Sequence, residues 1–290
     1  VTFARTLKLY YSLVKPGVLY GNAITAAAGF LFAAQGHINI GLFAALFIGS
    51  SLVIGAACAL NNYLDRDIDS LMERTKSRAV ASGAIPGRNA VIFSIVLLVI
   101  GMTVLLVWTN KLVVIAGLVG FIDYVWLYGA LSKRKSIHGT LVGSISGAIP
   151  IFSGYVAVTS HIDAAAILVF LILFLWQMPE FYSISIYRRD EYKAAHVPVM
   201  SVMKGIQNTK VQIFIYTVLF VVATLLLSLF GDTSYSYTIV MGLLGLYWLK
   251  LASKGLSIRD NNAWARKMFK FSLIILLAFS FMISIDAYLP

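Results

Sequence analysis

Long apolar runs, broken by polar turns, make up most of this chain. They fall at about 17–35, 41–61, 90–109, 112–131, 139–159, 164–187, 211–230, 235–252 and 270–289. Each is close to the roughly 20 residues that carry a helix across a bilayer. The pattern predicts an all-α integral membrane protein of nine transmembrane helices. Four connections are short and rich in turn residues: Gln35–Asn39, Thr109–Lys111, Ser160–Asp163 and Gly231–Ser234. The long connections, roughly 62–89, 188–210 and 253–269, are where function is expected. No low-complexity linker divides the chain, so residues 1–290 read as a single domain.

Composition agrees: 60% of residues are hydrophobic, 12% are charged, and the mean hydropathy is +0.86, outside the range of a soluble domain. A net charge of +11 raises the question of nucleic acid. The basic residues answer it by their position. Of the 23, all but Lys111 fall on one side of a nine-span topology. The positive-inside rule makes that side cytoplasmic and places the N-terminus there. The charge sets topology and attracts anionic lipid or substrate, so no nucleic-acid partner is expected. Cys58 is the one cysteine, which excludes an internal disulfide. The first apolar segment is long and lacks a small-residue cleavage site, so no cleavable signal is expected. The sequence starts at Val1 rather than Met, which suggests a trimmed or tagged form.

The richest polar stretch follows the second apolar run, from Asn61 to Arg78. Asn61, Asp65 and Asp69 recur every four residues. On a continuing helix they form one stripe about 12 Å long at roughly 1.5 Å per residue. Juxtamembrane charges often serve only as solvated anchors. Like charges at this spacing repel, however, and an anchor has no use for them. Two carboxylates and an amide oxygen on one face suit Mg2+, which typically takes one or two carboxylates together with waters and substrate phosphates. Arg74, Lys76 and Arg78 follow, placed to pair with phosphate oxygens.

A second polar cluster ends the sixth run. On a continuous helix Glu180, Tyr187 and Glu191 share one face. Glu180 then lies within the membrane boundary, where an acid marks a functional cavity by default; a snorkelling or protonated side chain is the alternative. Pro179 predicts a kink beside it. Asp190 and Glu191 offer a second carboxylate site on the same membrane face as Asp65 and Asp69, with Arg188, Arg189 and Lys193 adding positive charge. Asp123, in mid-span, is expected to face the bundle interior. His138 and His196 fall on the cytoplasmic side, where a structural role outweighs iron ligation.

These residues resemble the UbiA superfamily of intramembrane prenyltransferases, and within it the branch that farnesylates protohaem. The resemblance covers nearly the whole chain. It rests on Lys15-Pro16-Gly17, on Asn61-Asn-Tyr-Leu-Asp65-Arg-Asp-Ile-Asp69 with Met72-Glu-Arg-Thr-Lys76, and on Gly139-Thr-Leu-Val-Gly143-Ser-Ile-Ser-Gly147. It continues through Trp176-Gln-Met-Pro179, Tyr192-Lys-Ala-Ala-His-Val-Pro198 and Trp264-Ala-Arg-Lys267. The resemblance implies nine helices around a central cavity, with both acidic motifs at its cytoplasmic mouth, in the bacterial cytoplasmic membrane. It implies farnesyl diphosphate as donor and protohaem (haem b) as acceptor. The product is a hydroxyethylfarnesyl haem for haem–copper oxidases, whose assembly proteins are implied as partners. Catalytic and Mg2+-binding roles then fall to Asn61, Asp65, Asp69 and either or both of Asp190 and Glu191. Substrate-binding roles fall to Lys15, Arg74, Lys76, Arg78, Glu180, Tyr187 and Lys193. Two positions depart from the pattern: Glu191 stands where that branch usually has Asp, and Glu180 where relatives commonly have His. Two other readings compete. One is a prenyltransferase for another aromatic acceptor, such as a quinone precursor. The other is a transporter of haem or protons using Asp123 and Glu180.

Overall fold

A computed structural model describes residues 3–230 and 232–290 of the chain. Val1, Thr2 and Gly231, the last being the first residue of the outer turn Gly231–Ser234, lie outside the described residues. The described residues are all-helical. In chain order the helices are α1 (Phe3–Leu13), α2 (Pro16–Ala34), α3 (Ile40–Leu64), α4 (Arg66–Leu71), α5 (Gly87–Trp108) and α6 (Lys111–Ile122). A π-helical stretch, Asp123–Ser132, and α7 (Lys133–Lys135) continue α6. Then come α8 (Gly139–Thr159), α9 (Ala164–Tyr187), α10 (Arg189–Ala194), α11 (Met200–Met203), α12 (Gly205–Leu229), α13 (Tyr235–Gly255) and α14 (Asn261–Ile285).

Eight of these rods are long and apolar enough to cross a membrane, counting Lys111–Lys135 as one. The expected ninth, α13, forms as a helix of 21 residues but is more polar, with Tyr235, Ser236, Thr238, Lys250 and Lys254 along it. It packs against α12 and α14 and buries Trp248 and Tyr237. Helix boundaries also shift: α12 starts at Gly205 rather than 211, and α14 at Asn261 rather than 270. Their first turns are polar but still satisfy the backbone, which an apolar pattern does not register.

The turns on the less basic side have a local physical basis. Asn39, Asn110, Asp163 and Ser234 each accept a hydrogen bond from a backbone N–H in the first turn of the helix that follows. Their side chains replace partners that helix N-termini lack. Elsewhere small residues let backbones touch. A Cβ at Gly154 of α8 would sit 2.0 Å from the carbonyl oxygen of Ala26 in α2, so only glycine allows this approach. The seam holds α2 and α8 together as one wall. Against it α9 and α14 complete a buried core, with the Trp176 indole donating to the Ser272 carbonyl at 2.8 Å.

Between these walls lies a cavity of about 560 Å3. Residues from α2, α3, α6, α8, α9 and α14 line it, and the segment after α4 and the one after α10 roof it. The widened turns of the π-helical stretch set Tyr124 and Tyr128 into its wall. Such π segments recur at functional sites, because the inserted residue re-aims side chains.

Candidate active site

The first acidic motif keeps its expected stripe through a break in the helix. The α3 helix ends at Leu64 and Asp65 adopts φ −89°, ψ 1°. Even so, the Asp65 N–H donates to the Asn61 carbonyl at 2.9 Å and the Asp69 N–H to that of Asp65 at 2.7 Å. The three side chains therefore stay one turn apart, and all three are buried.

Each meets a cation. Lys15 donates to Asn61 Oδ1. Lys133 lies 2.5 Å from Asp65 Oδ2. Arg78 Nη1 donates to both Asp69 oxygens, at 2.8 and 2.7 Å. Asp67, on the opposite face, is 63% exposed and takes Arg134 at 2.7 Å on both oxygens. That guanidinium holds the Asp67 carboxyl well below the usual carboxylate range. Lys15 has a left-handed backbone, φ 49°, which a non-glycine residue adopts at a cost. This conformation begins α2 and aims the ammonium at Asn61. Desolvation lowers its pKa to about 8.

The loop 72–86 positions Arg78 by burying its own apolar residues. Ala79, Val80 and Ile85 pack with Leu13, Ala59 and Ala90. The Thr75 hydroxyl ties the loop back to the Asp69 carbonyl at 3.0 Å. A second apolar clasp, Ile68 and Met72 against Ala195 and Val197, joins this loop to the one after α10.

Six of the twelve residues expected at the site line the cavity: Lys15, Asn61, Asp69, Arg74, Arg78 and Glu180. Asp65 stands behind them, wholly buried. The other five do not line it. The expected face of Glu180, Tyr187 and Glu191 is broken because α9 ends at Tyr187 and Arg188 turns the chain at φ −115°, ψ 20°. Asp190 and Lys193 are exposed. Glu191 Oε1 pairs with Arg188 at 2.7 Å. Tyr187 packs under the Arg266 guanidinium, 4.8 Å from its ring centre. Lys76 pairs with Glu73 at 2.7 Å, in the solvated part of the loop. The second motif instead turns Tyr192 onto the cavity, and burial pushes its phenol pKa up. His138 and His196 are exposed and do not line it.

Lys133 and Tyr192 complete the mouth and are the residues that sequence reasoning missed. Lys133-Arg134-Lys135 reads as a topology signal. Its partners Asp65 and Asp67 are more than 60 residues away, which spacing alone does not reveal.

Among the described residues, no three His, Cys, Asp or Glu side chains are grouped to hold a metal, so the five-ligand set is not assembled. A smaller donor set fits Mg2+. Asp65 Oδ1 is buried without a hydrogen-bond partner, and Asp69 opens onto the cavity. Hard oxygens of this kind, completed by phosphate, suit that ion.

Deeper in, the Glu180 carboxyl faces the cavity, 8% exposed, with no hydrogen-bond or ion-pair partner among the described residues. Asp123 does not line the cavity. It accepts the Ser146 N–H at 3.0 Å and so braces the π-helical stretch against α8.

An intramembrane cavity whose mouth pairs stacked carboxylates with Lys and Arg defines a transferase of diphosphate-bearing lipids. Comparison with known proteins gives the same class. The model of the UbiA prenyltransferase family matches residues 22–274, and the chain belongs to that family. It is an enzyme family, so the transporter reading falls. Among curated relatives, the protoheme IX farnesyltransferase of Yersinia pseudotuberculosis serotype O:1b (strain IP 31758) is 44% identical, covering 97% of this chain and 95% of that one. Protoheme IX farnesyltransferase 2 of Pseudomonas fluorescens (strain Pf0-1) is also 44% identical, covering 98% and 97%. Among solved structures, that of digeranylgeranylglyceryl phosphate synthase superposes with a TM-score of 0.82 at 20% identity, covering 98% of this chain and 99% of that one. A UbiA homologue from Archaeoglobus fulgidus bound to GPP and Mg2+ gives 0.70 at 15% identity, covering 95% and 99%. These two likenesses establish the shared fold.

Proposed function

We propose that this chain transfers the farnesyl group of farnesyl diphosphate to a vinyl group of protohaem IX, with water completing the product. The observation that carries the reading is the cation-lined mouth over a deep, mostly apolar cavity, in a chain 44% identical to protoheme IX farnesyltransferases. Asp65 and Asp69, with Asn61 beside them, would hold Mg2+, which supplies charge neutralisation to the departing diphosphate. Arg74, Arg78, Lys15 and Lys133 orient the phosphate oxygens and stabilise the negative charge that grows on them. The wall below is mostly apolar, with Val53, Ile54, Phe121, Leu173 and Leu276 among its residues, and limits the access of water to the allylic cation until the vinyl group attacks it. Glu180 faces that cavity without a cation of its own. In its ionised form this carboxyl group would stabilise the cation left on the porphyrin side and take the proton of the water that captures it. The charge bias supports a mouth on the cytoplasmic side of a bacterial membrane, and the reading makes haem–copper oxidases the users of the product.

The test is mass spectrometry of haem recovered after the purified protein meets haem b, farnesyl diphosphate and Mg2+. A haem heavier by one farnesyl and one water is expected, and EDTA is expected to abolish it. Haem returned unchanged while another aromatic acceptor is prenylated would overturn the reading. The same assay isolates Glu180. In Glu180→Gln the hydrated product should fall by about a hundredfold, the scale of a lost proton acceptor, while diphosphate release persists. An unchanged yield of hydrated product would remove Glu180 from the chemistry.

A further inference from the structure

The cavity stops part-way along the helices that form it. On α3 the lining positions step down from Asn61 through Ala57 and Val53 to Ser50, and none lies beyond. The deepest on α6 is Gly117, and on α8 it is Ser153. On α5 the cavity is met by Leu105 alone among the described residues. Leu105 is 1% exposed, so protein backs it on all sides but this one. Its seat is fixed: a Cβ at Gly49 would lie 2.6 Å from Leu105 Cδ2, and one at Gly101 would lie 3.0 Å from the Gly49 carbonyl oxygen. The α3 and α5 backbones therefore close on each other at glycine, and Leu105 lies across the gap at the level of Gly49.

Gly49 is twelve residues below Asn61, about 18 Å at roughly 1.5 Å per residue. An extended farnesyl main chain measures about 14 Å, given carbon–carbon bonds near 1.5 Å. The remaining roughly 4 Å accommodates the carbon–oxygen link to the diphosphate and the contact radius of the last methyl. One more isoprene unit adds about 5 Å and runs into Leu105, and one fewer leaves the end empty.

We propose that Leu105 is the floor of a molecular ruler that measures the isoprenoid tail from the Asn61–Asp69 mouth and selects three isoprene units. The inference rests on the farnesyl-transfer reading above. It adds the residue that rejects longer donors and the depth that disfavours shorter ones.

The test compares geranyl, farnesyl and geranylgeranyl diphosphates with Mg2+ on the purified protein. It reads both haem prenylation and thermal stabilisation by each donor alone. Wild type should favour farnesyl over either neighbour by at least tenfold. Leu105→Ala opens the floor and should move preference at least tenfold toward geranylgeranyl. Ser50→Leu fills the end and should move it at least tenfold toward geranyl. Opposite shifts in the two variants support the ruler. If both keep the wild-type order, Leu105 is not the floor. Should one variant fail to fold, the other decides alone, since each predicts its own direction. Donor binding is read without haem, so a wrong acceptor would stop haem prenylation yet leave the chain-length order intact, and the two failures remain distinguishable.

Discussion

Asp69→Asn is expected to lower prenyl transfer by roughly a thousandfold, the upper range for losing one preorganised electrostatic partner of a reacting oxyanion. Asp69 lines the cavity, is buried, and accepts both of its close hydrogen bonds from Arg78. The amide keeps the shape but removes the charge that a divalent ion needs, and it releases Arg78 from its fixed direction. Fold should survive, because Thr75 anchors the loop to the Asp69 backbone rather than to its side chain. Initial rates of diphosphate release, set beside melting curves of the two proteins, give the answer. A rate within tenfold of wild type would show that Asp69 is only a tether for Arg78.

Lys133→Met should be the most destabilising of the changes at the mouth, by about 3 kcal/mol, because it leaves the buried Asp65 charge without its counterion. Asp65 is wholly buried and Lys133 only 19% exposed, so water cannot make good the loss. Arg134, 4.0 Å from the other oxygen, is already committed to Asp67 and compensates poorly. Asp65→Asn in the same protein should restore most of the stability, since the pair is then removed as a unit. The measurement is a double-mutant cycle on the melting temperature in detergent, with activity read in parallel. Activity should stay low in the double variant even as stability returns. If Lys133→Met melts with wild type, the contact contributes nothing to the fold.

Both predictions turn on how unevenly the sequence disclosed the site. The spans were legible because apolar runs near twenty residues permit little else: 41–61 became Ile40–Leu64, and 164–187 became Ala164–Tyr187. The first motif was legible because its spacing is local. Asn61, Asp65 and Asp69 stay in register through backbone bonds between them, even where the helix breaks. The second motif misled because its pattern assumed one continuous helix, and the turn at Arg188 moves Glu191 off the face of Glu180. Lys133 was hidden for the opposite reason, since its partner is fixed by tertiary packing of α3 against the π-helical stretch. The helix Phe3–Leu13 also escaped notice, being too short and too mixed in polarity to read as a span.

The closed lower end of the cavity also bears on the membrane as an insulator. A polar mouth with water behind it thins the barrier that separates two electrical compartments. Here the opening reaches about 18 Å below Asn61 at roughly 1.5 Å per residue and stops at Leu105. In a hydrocarbon layer of roughly 30 Å, the remaining thickness is spanned by packed apolar helix ends. Leu46, Val113 and Val156, all buried, fill that layer. An ion or proton at the bottom of the cavity would still have to cross the dry layer that remains. The fold therefore opens a charged mouth on one side without opening a polar path to the other.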